Sequence, residues 1–435
     1  MQGSVCGSLM CTTSMDKLGQ EVYENENLIY WYKGIVAVPP LCMVDDILAV
    51  QSCSQKSVEL NAKINAFIEL KKLSFSQSKC SKIHIGKENA VCPQLKVHEQ
   101  TMKDSHQEKY LGDLVHTSGK IKATIEQRAA KGWGIVSDIL AILNEIPLGI
   151  YRLDMGLKLR QAKLLNGMLF SSEGWQGLGK DDLKCLEKVD EALLRALLQC
   201  HPKTPLEFLY LETGSVKISD IVSSRRLNYL QTLLARDEEE LTNRVIRGQE
   251  IQPTPGDYIL LVKDDCAKIE MDYDEHFILS SGSEYKLYIK KKIRIAAFKE
   301  LQAQQQEHSK VKRIKYDKFE AQSYMFSPLF SNDDVALIAA LRSHTVRGVR
   351  CNFRNMYKPN IYCPLKCWAP GTPPVEDTQQ HMLECTKLTL VQNNTVANKQ
   401  IVYDDIYGDV AQQKAVVSIF KQLLQQRNEI LENET

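Results

Sequence analysis

Leu41-Cys42-Met43-Val44-Asp45-Asp46-Ile47-Leu48-Ala49-Val50 is the stretch on which the reading of this chain turns. Apolar residues lead into two adjacent aspartates and apolar residues lead out. That is the pattern of a short β-hairpin with Asp45-Asp46 at its tip. Two carboxylates on such a tip are hard oxygen donors, the kind that Mg2+ prefers. The dipeptide alone says little, because Asp-Asp recurs at 181–182, 264–265, 333–334 and 404–405. What separates residues 45–46 from the rest is the order of their neighbours.

Upstream lies Gln2-Gly3-Ser4-Val5-Cys6-Gly7-Ser8-Leu9, and downstream Leu73-Ser74-Phe75-Ser76-Gln77-Ser78-Lys79-Cys80 runs into a strand-like Lys82-Ile83-His84-Ile85-Gly86. Tyr110-Leu111-Gly112-Asp113-Leu114 follows. In this order the four segments resemble successive motifs of reverse transcriptases from non-LTR retrotransposons. The resemblance extends over residues 1–430, through a helical region to a Cys/His cluster near the C-terminus. It implies that Gln2, Gly3 and Ser4 pack against template and incoming nucleotide. It implies that Asp45 and Asp46 hold Mg2+, and that Tyr110, Leu111 and Gly112 grip the primer end. Lys79 stands where the family carries a lysine thought to protonate departing pyrophosphate. An ordinary surface lysine at a loop–strand junction fits that position equally well.

Nucleotidyl transfer uses two metal ions, one at the primer hydroxyl and one at the leaving pyrophosphate. Two carboxylates from one turn clamp such a pair poorly. The family supplies a further aspartate upstream of the Gln-Gly loop, and this sequence begins one residue before Gln2. The expectation is therefore a fragment derived from such an element, truncated at its N-terminus and inactive alone. Its implied partners are an RNA template, a DNA primer or target DNA, and dNTP in the full-length form.

Composition sets the outer limits. The chain has 435 residues, enough for two or three domains with sizeable cores. Its 43% hydrophobic and 25% charged residues are those of an ordinary globular protein, which excludes disordered and fibrous classes. A net charge of +1 gives no global steering. The thirteen cysteines are scattered, and no secretory leader or apolar run long enough for a membrane helix is evident. Reduced cysteines in a nuclear or cytoplasmic protein without a membrane partner are expected.

Apolar spacing predicts helices over 4–26, 56–72, 119–145, 153–172, 181–200, 216–247 and 401–431, with a polar loop over 87–107. Leu183, Leu186, Val189, Leu193, Leu194 and Leu197 form one stripe. Pro253-Thr254-Pro255-Gly256 reads as a boundary. The expected fold is an α+β partial reverse transcriptase palm over 1–117, a helical thumb-like domain over 118–250, and a helical basic region over 251–350. A zinc module with a C-terminal helix completes it over 351–435.

The strongest local motif is Cys363-x3-Cys367-x13-His381-x3-Cys385. Two close pairs separated by a loop suit a tetrahedral, structural Zn2+ site. Upstream, residues 286–318 hold eleven Lys/Arg against three Asp/Glu. They read either as a solvated helix face or as a phosphate contact. Arg342, Arg347, Arg350, Arg354 and Lys358 form an acid-free run beside the cluster, read as nucleic-acid binding. The alternative to a polymerase fragment is a zinc-stabilised nucleic-acid-binding or protein-interaction module without catalysis.

Overall fold

The computed structural model describes residues 5–44, 46–86, 93–97, 99–146, 151–274, 282–346, 362–388 and 404–433. They fall into two compact units, each assembled from separate stretches of chain.

The first unit comprises 1–127, 171–182 and 223–289. Helices Val5–Tyr23 and Ser54–Leu70 bury Leu18, Val22, Leu60, Phe67 and Ile68 in one cluster. Around them the strands pair only in twos, giving five two-stranded sheets. The strands are two to four residues long, too short to propagate a broad sheet. Inside the stretch expected as a polar loop, 87–107, the described residues form short strands: Lys96–Val97 pairs with Gln100–Thr101, and Lys103–Asp104 pairs in parallel with Ser81–Lys82, which opens the strand-like 82–86 segment. Gln107–Tyr110 pairs with Asp113–His116 at its edge. The two-residue strands within the loop leave no apolar alternation to read. The hairpin at 41–50 is present, pairing Leu41–Met43 with Asp46–Leu48. Asp46 opens the return strand opposite Met43, so the tip lies one residue earlier than the aspartate pair. Val44 takes up the turn at φ 59°, a left-handed conformation that a β-branched residue adopts at a cost of about 1–3 kcal/mol.

The Pro253–Gly256 stretch lies inside this unit. Lys33 Nζ donates to Gln252 O (2.6 Å), Thr254 Oγ1 (2.8 Å) and Asp257 Oδ2 (2.6 Å), so the breaker residues form a pinned turn. Deeper in, Arg226 Nε donates to Asp265 Oδ2 and Ser223 Oγ to Asp265 Oδ1, both at 2.6 Å. A buried carboxylate is tolerated when paired and hydrogen-bonded in this way.

The second unit comprises 128–170, 183–222 and 290–435, and the regular elements among its described residues are all helices. Helix Lys180–Leu198 buries Leu186, Val189, Leu193 and Leu194 of the expected stripe, together with Leu198, while Leu183 and Leu197 are only half-buried at its edges. Asp190 lies on the same stripe with no exposure, and Arg160 answers it bidentately at 2.6 and 2.7 Å. Arg160 opens a π-helical turn, Arg160–Leu165, between helices Tyr151–Leu159 and Asn166–Met168. At the end of helix Leu206–Thr213, Gly214 has φ 59°, and a Cβ there would meet the Glu320–Ala321 backbone at 2.5–2.6 Å. Only glycine permits that approach. No described helix is long and apolar enough to cross a membrane.

On helix Lys180–Leu198, burial pushes the Glu191 carboxyl up to about 7, helped by Glu187, Asp190 and Glu207 and opposed by Arg195. A carboxyl whose folded pKa lies above its ordinary value stabilises at low pH, and that stability is lost as pH rises from about 4.5 through 7. Glu191→Gln should therefore stabilise the protein by about 1–2 kcal/mol at pH 8, after allowance for partial solvent screening, and change nothing near pH 4.5. Urea denaturation at the two pH values checks this.

Candidate metal centre

The Cys/His module is built from tight turns. Lys366 N–H donates to Cys363 O at 3.1 Å, closing a turn that sets Cys363 and Cys367 side by side. Lys366 has φ 46°, and Pro364 inside the loop excludes a helix. Cys363 N–H is tied to Val375 O (2.9 Å), and Tyr362 bridges Glu376 antiparallel. The intervening Ala369–Pro374 segment turns at Gly371, φ 85°, and Thr372 Oγ1 donates to Ala369 O. The other pair comes from helix Gln379–Glu384. Thr378 caps it, its hydroxyl accepting from His381 N–H at 3.0 Å, and Cys385 caps the far end. Side-chain N-caps stabilise a helix start by about 1 kcal/mol.

The result is convergence. The four ligand atoms lie within 4.8 Å of one another. Cys363 Sγ and Cys385 Sγ are 3.9 Å apart, and Cys367 Sγ and His381 Nε2 are 3.2 Å apart. A tetrahedral site with Zn–S near 2.3 Å requires edges of roughly 3.8 Å between sulfurs, so little movement is needed. Cys363, His381 and Cys385 are buried and Cys367 half-buried. Three sulfurs and one imidazole suit a soft or borderline cation, which is compatible with Zn2+. All four positions come from protein, the pattern of a structural rather than an open catalytic site.

In the proton-bound state the thiols share protons unevenly. Cys363 is pushed up by its hydrogen bond to Cys385 and by burial, while that same bond pulls Cys385 down. Burial raises Cys367. A dication relieves this by displacing the protons, so metal binding weakens as pH falls.

Sequence reading missed the support behind the ligands. Asp377, one residue before the cap, receives Arg427 bidentately at 2.7 and 2.6 Å, with both residues buried. Gln379 Nε2 donates to Leu341 O at 3.2 Å. Helix Val410–Asn433 lays Val416, Val417, Phe420 and Leu423 into the core that also holds Cys363, Leu365, Met382, Leu383 and Cys385. The Thr378-x-x-His381 spacing was a readable cap signal, but nothing local links Asp377 to Arg427 across fifty residues of sequence.

The remaining candidate residues are distributed differently. Asp46 is exposed at the start of its strand, and Lys79 is exposed at the end of a 3-10 turn, Gln77–Lys79. Leu111 and Gly112, φ 47° and 98°, form the two-residue turn between strands Gln107–Tyr110 and Asp113–His116. Positive φ at both positions is the primed turn that matches strand twist. Tyr110 Oη reaches Leu41 O at 3.5 Å. Its hydroxyl is raised by burial and then by the Asp46 charge, so the two hairpins are neighbours. Gln2, Gly3, Ser4, Asp45, Arg347, Arg350, Arg354 and Lys358 lie outside the described residues. Among the described residues, the Cys/His set is the one group of three or more such ligands that converges, and no carboxylates gather around Asp46 for Mg2+.

Arg342 corrects the sequence reading. It is 3% exposed, donates to Glu212 at 2.7 Å, and lies against the rings of Tyr316, Tyr324 and Tyr407. It belongs to the core and cannot contact a nucleic acid. Tyr285 and Tyr316, aromatic rings at and within the basic stretch 286–318, are buried as well.

No family model, no curated protein and no solved structure matches this chain.

The purified protein should bind one Zn2+, and chelation or Cys385→Ser should lower its thermal midpoint, read by metal analysis and calorimetry. Arg427→Met should keep the ligands but weaken zinc affinity on the order of 10- to 100-fold in competition with a chromophoric chelator, because the clamp behind His381 is lost.

Proposed function

We propose that this chain binds a template–primer as part of an RNA-directed DNA polymerase of the non-LTR retrotransposon type, with a zinc module that stabilises its C-terminal region. The observation that carries the reading is the meeting of two motifs far apart in sequence: Tyr110 Oη of the second hairpin reaches Leu41 O of the first, the hairpin that carries Asp46, at 3.5 Å. In a polymerase those positions hold the primer end and the metal. Asp45 and Asp46 would hold Mg2+ from one side, Lys79 would face the pyrophosphate, and Gln2, Gly3 and Ser4 would meet template and dNTP. RNA template and DNA primer or target DNA are the partners, in the nucleus or cytoplasm.

Two-metal transfer needs carboxylates on both sides of the ion pair. None of the described residues supplies the second side at Asp46. The chain alone therefore binds nucleic acid without extending a primer.

A second reading is favoured by the Cys/His convergence, the one complete ligand set among the described residues. It is a zinc-stabilised binding module in which the hairpins are scaffold only.

Primer extension on an RNA template with Mg2+ separates the readings, using this chain beside Asp45→Ala and Asp46→Ala. The expected result is RNA binding weakened by the hairpin substitutions and no extension. Extension abolished by either substitution would establish an active polymerase. Binding indifferent to both would leave the zinc-module reading.

A further inference from the structure

With Arg342 buried, an exposed cationic surface among the described residues of the second unit has to come from elsewhere in its sequence. The turn that follows helix Ser283–Glu307 has the required properties. Residues 308–318 carry Lys310, Lys312, Arg313, Lys315 and Lys318 against a single acid, Asp317. Charge alone would describe any solvated surface. Two features make this segment different.

The first is its alternation. Val311, Ile314, Tyr316 and Phe319 are buried in the main core of the unit. Lys312, Arg313, Lys315 and Lys318 between them are exposed. The anchors drive the cationic side chains outward from one short turn. Among the described residues no carboxylate pairs with these four.

The second is rigidity. Gln305, 1% exposed, donates from one amide nitrogen to Val311 O at 2.6 Å and Ile314 O at 2.8 Å. Gln302 donates to Tyr316 O at 3.0 Å, and Tyr316 Oη donates to the buried Glu212. Val311, Lys312 and Ile314 N–H groups close successive local turns onto His308 O and Val311 O. Backbone carbonyls that would otherwise seek water are thus held by two side chains of the preceding helix. The short glutamine-rich stretch Gln302–Gln306 is the clasp of this turn. A cationic loop ordered before binding loses little conformational entropy when it meets its ligand.

The geometry points to the Lys312–Lys318 turn as a preorganised phosphodiester-binding surface, the place where this chain grips the backbone of a nucleic acid. This rests on the nucleic-acid reading above and names the surface that performs it. Contacts of this kind are to phosphate, so they position a strand without reading its sequence.

The test uses the full zinc-loaded chain and fluorescence anisotropy with a labelled single-stranded oligonucleotide across a salt series. The variant is Lys312→Ala/Arg313→Ala/Lys315→Ala. Its control is Lys72→Ala/Lys120→Ala/Lys131→Ala, three exposed lysines elsewhere with the same loss of charge. The turn variant should bind on the order of 10- to 100-fold more weakly near 0.1 M salt, and its slope of log K against log salt should shrink by about 2, as expected for three lost phosphate contacts. The control should change neither by a comparable amount. All the substituted side chains are exposed, and unchanged circular dichroism confirms that the fold is kept. An unchanged slope in the turn variant, or an equal loss in the control, overturns the assignment of this surface. If the parent protein binds no oligonucleotide at all, the nucleic-acid reading itself falls. If the parent binds polyglutamate or anionic vesicles as tightly as the oligonucleotide, the surface is a general anion patch and the proposal is overturned.

Discussion

Glu212 has no solvent exposure and carries the organisation of the second unit. Tyr316 and Tyr324 hydroxyls donate to it at 2.5 and 2.6 Å, and Arg342 Nε at 2.7 Å. These donors come from a turn, a 3-10 helix and the end of helix Asn332–Arg342, over a hundred residues away in sequence. Arg342 then passes the constraint on, donating to Ile406 O at 3.3 Å. A carboxylate in this setting must keep every partner, because an unpaired buried charge costs about 3–5 kcal/mol. The tyrosine hydroxyls are raised well above their ordinary range by burial first and by Glu212 next, so they remain donors. The network thus specifies how distant segments meet, beyond what apolar packing alone would demand.

The metal centre hangs from that frame. Leu341, next to Arg342, offers its carbonyl to Gln379 in the ligand helix. Ile406, which receives Arg342, also receives Gln413 of the C-terminal helix. The Arg427–Asp377 pair then holds the start of the ligand helix from the other side. Ligand convergence is therefore a consequence of packing already in place, and a bound cation would in turn stabilise that packing. The same frame orders the basic turn, since Tyr316 is at once an anchor of the turn and a donor to Glu212.

In the first unit a comparable economy joins the hairpins. Each is only a few residues long and gains stability from neighbours rather than from a broad sheet. Helices Val5–Tyr23 and Ser54–Leu70 provide the apolar support, with Cys42 and Ile47 of the first hairpin packed against their cluster. Leu111 and Met43 remain exposed near the turns.

Local sequence determined most of the helices, the hairpin at Leu41–Leu48 and the Cys/His ligand set, because each depends on spacing within a few residues; the single helix expected over 216–247 is instead two, Ile218–Leu234 and Leu241–Ile251. The 3.6-residue stripe of Lys180–Leu198 and the four-residue step from His381 to Cys385 need no distant partner to be read. The short strands between 96 and 104 escaped, since two-residue pairings leave no period. Tertiary structure decided which charges are surface and which are core. Arg342 and Lys312 look alike in a basic run, yet one is buried against Glu212 and three tyrosines while the other is exposed. The difference is made by a carboxylate 130 residues away, and a charge enters a core only where such a partner waits.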